Sequence, residues 1–262
     1  MNYGKGYQPD PANKIYKPFD KSQVSNVSTE NDIDLRPFSP PIKHHQGQTE
    51  SCVGNATTRA LEIKMIEKNG FDNFVPLSVM DLYWSARNLM EPKQTHVDGG
   101  VYISLAMDVL RTNGICRDHM WPWDPAKINV PPSILSIREE SLNKISGHFK
   151  IMSTGNALID DIVLNLKNHN PVVFGMDVGD EFKNFDSESS PISKLTNSVG
   201  GHALCIVGWI NGKFVIENSW GNYYGVNGYC TIDPNFLVSP QCKANDFWVM
   251  QNEFDLFWEG KQ

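Results

Sequence analysis

Residues 202–220 read HALCIVGWINGKFVIENSW, and no other stretch of this chain constrains its fold as tightly. Two apolar, β-branched and aromatic runs flank Asn211-Gly212. That dipeptide suits the two positive-φ positions of a type I′ turn. The segment therefore predicts an antiparallel hairpin. The turn sets the register and draws the start of the first strand toward the end of the second. His202 and Asn218, one on each strand, are predicted to be neighbours.

The hairpin belongs to a strand-rich second half. PVVFGMDV (171–178) and YGVNGYCTID (224–233) each predict a further strand. The first half reads differently. Three prolines keep DLRPFSPPIKHHQGQTE (34–50) extended, and His44 and His45 within it read as solvated loop residues. Ser51 then reads as an N-cap, with Val53, Ala56, Ala60 and Ile63 on one helical face and Asn69-Gly70 as the stop. SVMDLYWSARNLM (78–90), capped by Ser78, predicts a second helix, and DGGVYISLAMDVLRTNG (98–114) holds a third. IMSTGNALIDDIVLNLKNHN (151–170) predicts a fourth, closed by Pro171. Helices first and strands second give an α+β class. Residues 1–33 are polar and proline-bearing, and predict an extended arm ahead of a domain over 34–262. GDEFKNFDSESSPISKLTNS (179–198) reads as a flexible insertion.

A chain of 262 residues with 40% hydrophobic content can build a sizeable core. Its net charge of −7, with no basic run, argues against nucleic acid and anionic membrane as partners. Its apolar runs are too short to span a bilayer. The polar N-terminus has no apolar signal region, so a cytoplasmic location is expected, with non-classical export left open. Five cysteines are too few, and odd in number, for a disulfide scaffold. Cys205 has core spacing, and pairing of Cys230 with Cys242 stays open. Cys116 and His119 have ligand spacing but lack a second pair, so neither a metal nor a cofactor is expected.

QGQTESCVGNA (46–56) places Cys52 at the first position of a helix. Unpaired N–H groups and the positive end of the dipole favour a thiolate there. A cysteine nucleophile also needs a base and a group that orients the base. His202 and Asn218 supply both across the hairpin.

These segments together resemble the papain family of cysteine peptidases, most closely its bacterial and phage members. QGQTESC carries that family's glutamine and nucleophile, and GGHALCIVGW its histidine strand. NSWGNYYGVNGYC carries its Asn-Ser-Trp-Gly segment, and DGGVYISLAMDVLRTNGICRDHMWPW its Gly-Gly stretch and helix. The resemblance covers roughly residues 34–232. It implies a papain-like two-lobed fold, with a helical lobe (about 45–150), a β-barrel-like lobe (about 151–262) and an active-site cleft between them.

The resemblance also implies roles. Cys52 is the nucleophile and His202 its base, in a thiolate–imidazolium pair whose thiol pKa falls to about 3–4. Asn218 orients the ring, and Trp220 shields that hydrogen bond. Gln46 and the Cys52 N–H form an oxyanion hole. Gly99 and Gly100 present backbone to an extended peptide, and Val101, Tyr102 and Ala203 line the pocket for the substrate's second residue. The implied reaction is hydrolysis of peptide bonds by a monomer acting on polypeptides. A silent binding protein and a transpeptidase or isopeptidase stay as alternatives. Two departures stand out: Val53 replaces the family's tryptophan after the nucleophile, and Thr49 replaces a disulfide-forming cysteine. Residues 1–33 are also too few for the family's large inhibitory propeptide, but the arm is expected to pack on the body or near the cleft.

Overall fold

The computed structural model describes residues 6–24, 32–41 and 45–251. Parts of the expected arm (1–5 and 25–31), His44, and the end of the expected domain (252–262) lie outside the described residues. In chain order the elements are β1 (Tyr7–Gln8), β2 (Ile33–Asp34), α1 (Cys52–Asn69), α2 (Val79–Asn88), β3 (Val101–Tyr102), α3 (Ile103–Thr112), α4 (Ile134–Glu140), β4 (Gly147–Lys150), α5 (Asn156–Lys167), β5 (Val172–Val178), α6 (Asp180–Lys183), β6 (Gly200–Ile210), β7 (Lys213–Glu217), β8 (Tyr229–Ile232), α7 (Pro234–Leu237) and β9 (Asn245–Gln251).

The hairpin forms as its sequence dictates. Asn211 and Gly212 take φ of 50° and 72°, and Ile210 faces Lys213 across the turn. This pair sits inside a sheet of order β4-β9-β5-β6-β7-β8, with β2 also paired to β6. The long β6 changes partners along its length. Its first part pairs with β5, from Gly200 to Ile206, and Gly208 and Trp209 pair with β2.

Helix α1 is the axis of the other lobe. It packs against α2, α3 and β6, and it is buried on nearly every face, from Cys52 to Ile66. The single apolar face expected of it understates this, because buried polar side chains fill the remaining faces. Ser78 caps α2 as expected, accepting the Asp81 N–H at 3.1 Å. Ser51 does not cap α1: its hydroxyl is taken by Thr49 and Asn55 instead.

One expectation is overturned. Residues 179–198 are not a loose insertion. Phe182, Phe185 and Ile192 are buried in the main core, and the Ile192 N–H bonds the Thr231 carbonyl at 2.8 Å. Three apolar anchors outweigh the polar residues around them.

Candidate active site

The Cys52 side chain is fully buried at the head of α1. Besides the N–H of the next residue, Val53, two backbone N–H groups from distant segments reach its sulfur. One belongs to Ala203 on β6, next to His202. The other belongs to Gly6 in the arm, at 3.2 Å. Burial pushes the Cys52 thiol up to about 12, and these hydrogen bonds only partly oppose it.

His202 is buried, and its Nε2 lies 2.8 Å from Asn218 Oδ1. The tautomer follows from a neighbour. Asn218 Oδ1 also accepts the Ser219 backbone N–H at 2.8 Å. A backbone amide can only donate, so an oxygen must face it, and Nε2 must then carry the ring proton. In the neutral ring the lone pair is thus on Nδ1. The Trp220 ring packs on the imidazole at 5.1 Å, tilted by 32°. Phe182 meets both rings edge-on, at 5.9 Å from His202 and 5.1 Å from Trp220. The Trp220 indole thus lies against the imidazole that bonds Asn218. Phe182, from the segment whose polar composition suggests flexibility, backs it.

Gln46 is fully buried. Its backbone N–H bonds the Ser219 carbonyl at 3.0 Å. Its side chain donates from Nε2 to the Thr49 carbonyl at 2.8 Å and accepts the Ser219 hydroxyl at Oε1. The 46–51 loop is thus fixed to the segment that carries Asn218. Thr49 closes it further, donating to the Gln46 carbonyl at 2.7 Å. Asp98 ties this loop to the Gly99–Gly100 stretch by accepting the Glu50 N–H at 3.0 Å and the Tyr83 hydroxyl at 2.6 Å. Val53 is wholly buried in the core.

The arm lies in the cleft. β1 pairs with β3 in parallel, Tyr7 opposite Val101 and Gln8 opposite Tyr102. The Val101 N–H donates to the Gly6 carbonyl at 2.8 Å, and Gln8 Nε2 donates to the Gly99 carbonyl at 2.7 Å. The Gly100 N–H turns inward to the Tyr83 hydroxyl at 3.1 Å. So Gly99 and Val101, rather than Gly99 and Gly100, offer backbone groups to the occupant. Gly100 serves by its lack of a side chain. At φ 76°, a Cβ there would lie 2.1 Å from the Gly6 carbonyl oxygen. Only glycine lets the arm pass.

Tyr7 is buried and donates its hydroxyl to Asp246 Oδ2 at 2.6 Å. Asp10 anchors the next turn of chain. Its carboxylate accepts the Ser104 N–H, in the first turn of α3, at 3.2 Å. It also accepts Trp248 Nε1–H at 3.0 Å and pairs with Lys150 at 3.2 Å. Lys150 pairs with Asp246 as well. No sequence signal singles out Tyr7, Asp10, Lys150 or Asp246; the sequence shows only that an arm is present.

The Cys52 sulfur accepts the Gly6 N–H, so it lies on the donor side of that peptide. Attack would need sulfur above a carbonyl carbon. The arm is therefore held as an occupant and is not poised for cleavage. A cavity of about 410 Å³ lies further along α1, between Arg59, Glu62, Trp123, Glu217 and Asn218. Space directly over Cys52 is taken by the arm.

Residues 30–254 match the model of the papain family cysteine proteases. The chain is 32% identical over 220 residues to an uncharacterized peptidase C1-like protein of Acanthamoeba polyphaga mimivirus, covering 80% of this chain and 70% of that one. It is 27% identical over 206 residues to pro-cathepsin H of Bos taurus, covering 75% of this chain and 56% of the bovine one. Its structure is similar to that of xylellain, a cysteine protease from Xylella fastidiosa, with a TM-score of 0.77 and 27% identity, covering 96% of this chain and 97% of that one. The family model matches over most of the length and the viral relative agrees: this chain belongs to the papain family of cysteine proteases.

Proposed function

We propose that this papain-family protease is an endopeptidase in which Cys52 attacks the peptide carbonyl and His202 Nδ1 takes the thiol proton. The observation that carries the assignment is the Ser219 N–H on Asn218 Oδ1, which fixes Nε2 as donor and leaves Nδ1 basic. With the cleft open, burial no longer opposes charge at Cys52, and a thiolate–imidazolium pair forms. The Cys52–carbonyl bond forms as the oxyanion takes hydrogen bonds from Gln46 Nε2 and the Cys52 N–H. His202 gives its proton to the leaving amine, and the C–N bond breaks. Water, deprotonated by His202, then releases the acyl group. Trp220 and Phe182 keep solvent from the ring.

In this reading residues 1–33 form an arm and the rest the peptidase domain. The arm's place in the cleft supports that division, with Ile33–Asp34 joining β6 of the body at the boundary. With the arm seated, the protein is latent. It acts on polypeptides as a monomer in a reducing compartment, the cytoplasm, in keeping with five buried thiols, none of them in a disulfide. Similarity to a viral and a Xylella protein favours kinship with microbial members.

Labelling with an epoxide thiol-protease inhibitor tests the nucleophile in the arm-released Asp10→Ala protein: it should label and turn over a peptide library, and the same protein carrying Cys52→Ala should do neither. Gln46→Ala should lower kcat by about 10²–10³. Equal behaviour of the arm-released proteins with and without Cys52→Ala would remove the assignment. Products that join the acyl group to an added amine would point to transfer in place of hydrolysis.

A further inference from the structure

Tyr7 is held more closely than a passing residue of the arm requires. Its ring lies against Gly175 of β5 and Gly201 of β6, both inside strands. A Cβ at Gly175 would come within 2.1 Å of the ring, and one at Gly201 within 2.9 Å. Neither glycine has a positive φ, so their conformations do not demand glycine. Glycine within a strand weakens packing and marks a close approach. Here it makes room for a flat side chain. At the end of this slot stands Asp246, whose Oδ2 accepts a hydrogen bond from the phenol. Its Oδ1 is already paired with Lys150. Tyr7 is only 8% exposed and sits one residue from the group touching Cys52. It pairs with Val101 and covers Gly175, the register partner of Ala203.

We propose that this slot is a substrate pocket that selects tyrosine, and that Asp246 is the residue that selects it. The inference rests on the peptidase reading above and on the role that the family resemblance implies for Val101, Tyr102 and Ala203, lining the pocket for the substrate's second residue. Tyr7 is then a built-in ligand of the same pocket. Lys150 decides the charge preference. The carboxylate at the pocket floor is already matched by one cation, so an arginine or lysine side chain would add an unbalanced positive charge. A phenol adds a donor and no charge. In the seated arm Oδ2 also accepts the Asp10 backbone N–H at 2.7 Å; once the arm leaves, phenylalanine fills the slot but brings Asp246 Oδ2 no donor, whereas tyrosine brings one.

The test uses the full chain carrying Tyr7→Ala and Asp10→Ala, which removes the occupant and its anchor. Peptides identical but for tyrosine, phenylalanine, leucine or arginine at the second position are compared by kcat/KM. Tyrosine should exceed phenylalanine by about tenfold or more, the usual worth of a hydrogen bond to a charged group. Adding Asp246→Ala should bring that ratio to about one. Should that variant fail to fold, adding Gly175→Ala gives a second reading: the methyl narrows the slot and should favour leucine over both aromatic residues. Equal rates for tyrosine and phenylalanine, or a preference for arginine, overturn the proposal while the peptidase reading stands. No turnover of any peptide overturns both.

Discussion

Two buried charge clusters hold this protein together, and they differ in what they join. In the first, Arg59 of α1 pairs with Glu217 of β7 at 2.7 Å and with Glu62 at 3.2 Å, while Glu217 also accepts the Ser39 hydroxyl at 2.7 Å. It joins the lobes directly beside Asn218. In the second, Lys150 stands between Asp10 and Asp246 and joins the arm to the body. The chemistry is alike: carboxylates around one cation, out of water, with extra donors on the remaining oxygens. The covalent context is not. Arg59 and Glu217 belong to core elements that separate only when the domain unfolds. Asp10 rides on a segment that contributes only the two-residue β1, paired with β3 outside the main sheet. Like clusters can thus serve permanence in one region and release in another.

The largest effect should come from the first cluster. Arg59→Ala leaves Glu62 and Glu217 buried without their cation, and should cost about 3–5 kcal/mol of stability in urea denaturation. Burial already raises both carboxylates above their ordinary range, so they will take up protons when Arg59 is gone. The variant should then be less destabilised at pH 5 than at pH 8. A cost below about 1 kcal/mol, the ordinary worth of a surface pair, would erase the distinction between the clusters.

Asp10→Ala should act on access more than on stability. It removes the acceptor of the Ser104 N–H, the Trp248 N–H and the Lys150 cation, each such bond to a charged group being worth about 1.5–3 kcal/mol. Epoxide labelling of Cys52 should speed up by about tenfold or more, with the urea midpoint of the body little moved. A parallel loss of both labelling and fold would make the second cluster as permanent as the first.

A smaller effect should show in the pH dependence of Cys52 alkylation. In the arm-seated protein burial pushes the thiol up to about 12, so the reactive thiolate is scarce at neutral pH and the rate should climb through the alkaline range. In Asp10→Ala, with the cleft open to an imidazole partner, the rate should already be on a plateau near neutrality, because such pairs ionise at about 3–4. Superimposable profiles would show that the arm does not control the thiol.

What the sequence reveals of the fold and the site follows the range of the interactions. The Asn211-Gly212 hairpin is local turn chemistry, so its strands, and the approach of His202 to Asn218, can be read directly. Cys52 stands out by its place at the head of an apolar helical pattern, although Ser51, the expected cap, turns its hydroxyl to Thr49 and Asn55. β9 is different: its seven residues, NDFWVMQ, lie between β4 and β5 in the sheet, but no turn signal or clean alternation announces them. The ring of His148 on β4 packs edge-on to Trp248 of β9 at 5.2 Å and bonds Asp108 at 3.1 Å. An unannounced strand hides its neighbours with it. The pocket is illegible for a stronger reason. Tyr7, Gly175, Gly201 and Asp246 have no shared period, and only the tertiary fold makes one place of them.

The anchor of the arm has one further consequence. Asp10 touches α3, in the helical lobe, through Ser104, and the sheet lobe through Trp248 and Lys150. A single carboxylate therefore splints the two halves across their seam. Once it leaves, the halves are held by the interior alone and gain freedom to breathe. The stored form of this protein should accordingly outlast the working form, its amides near the seam exchanging more slowly and its chain being nicked less readily.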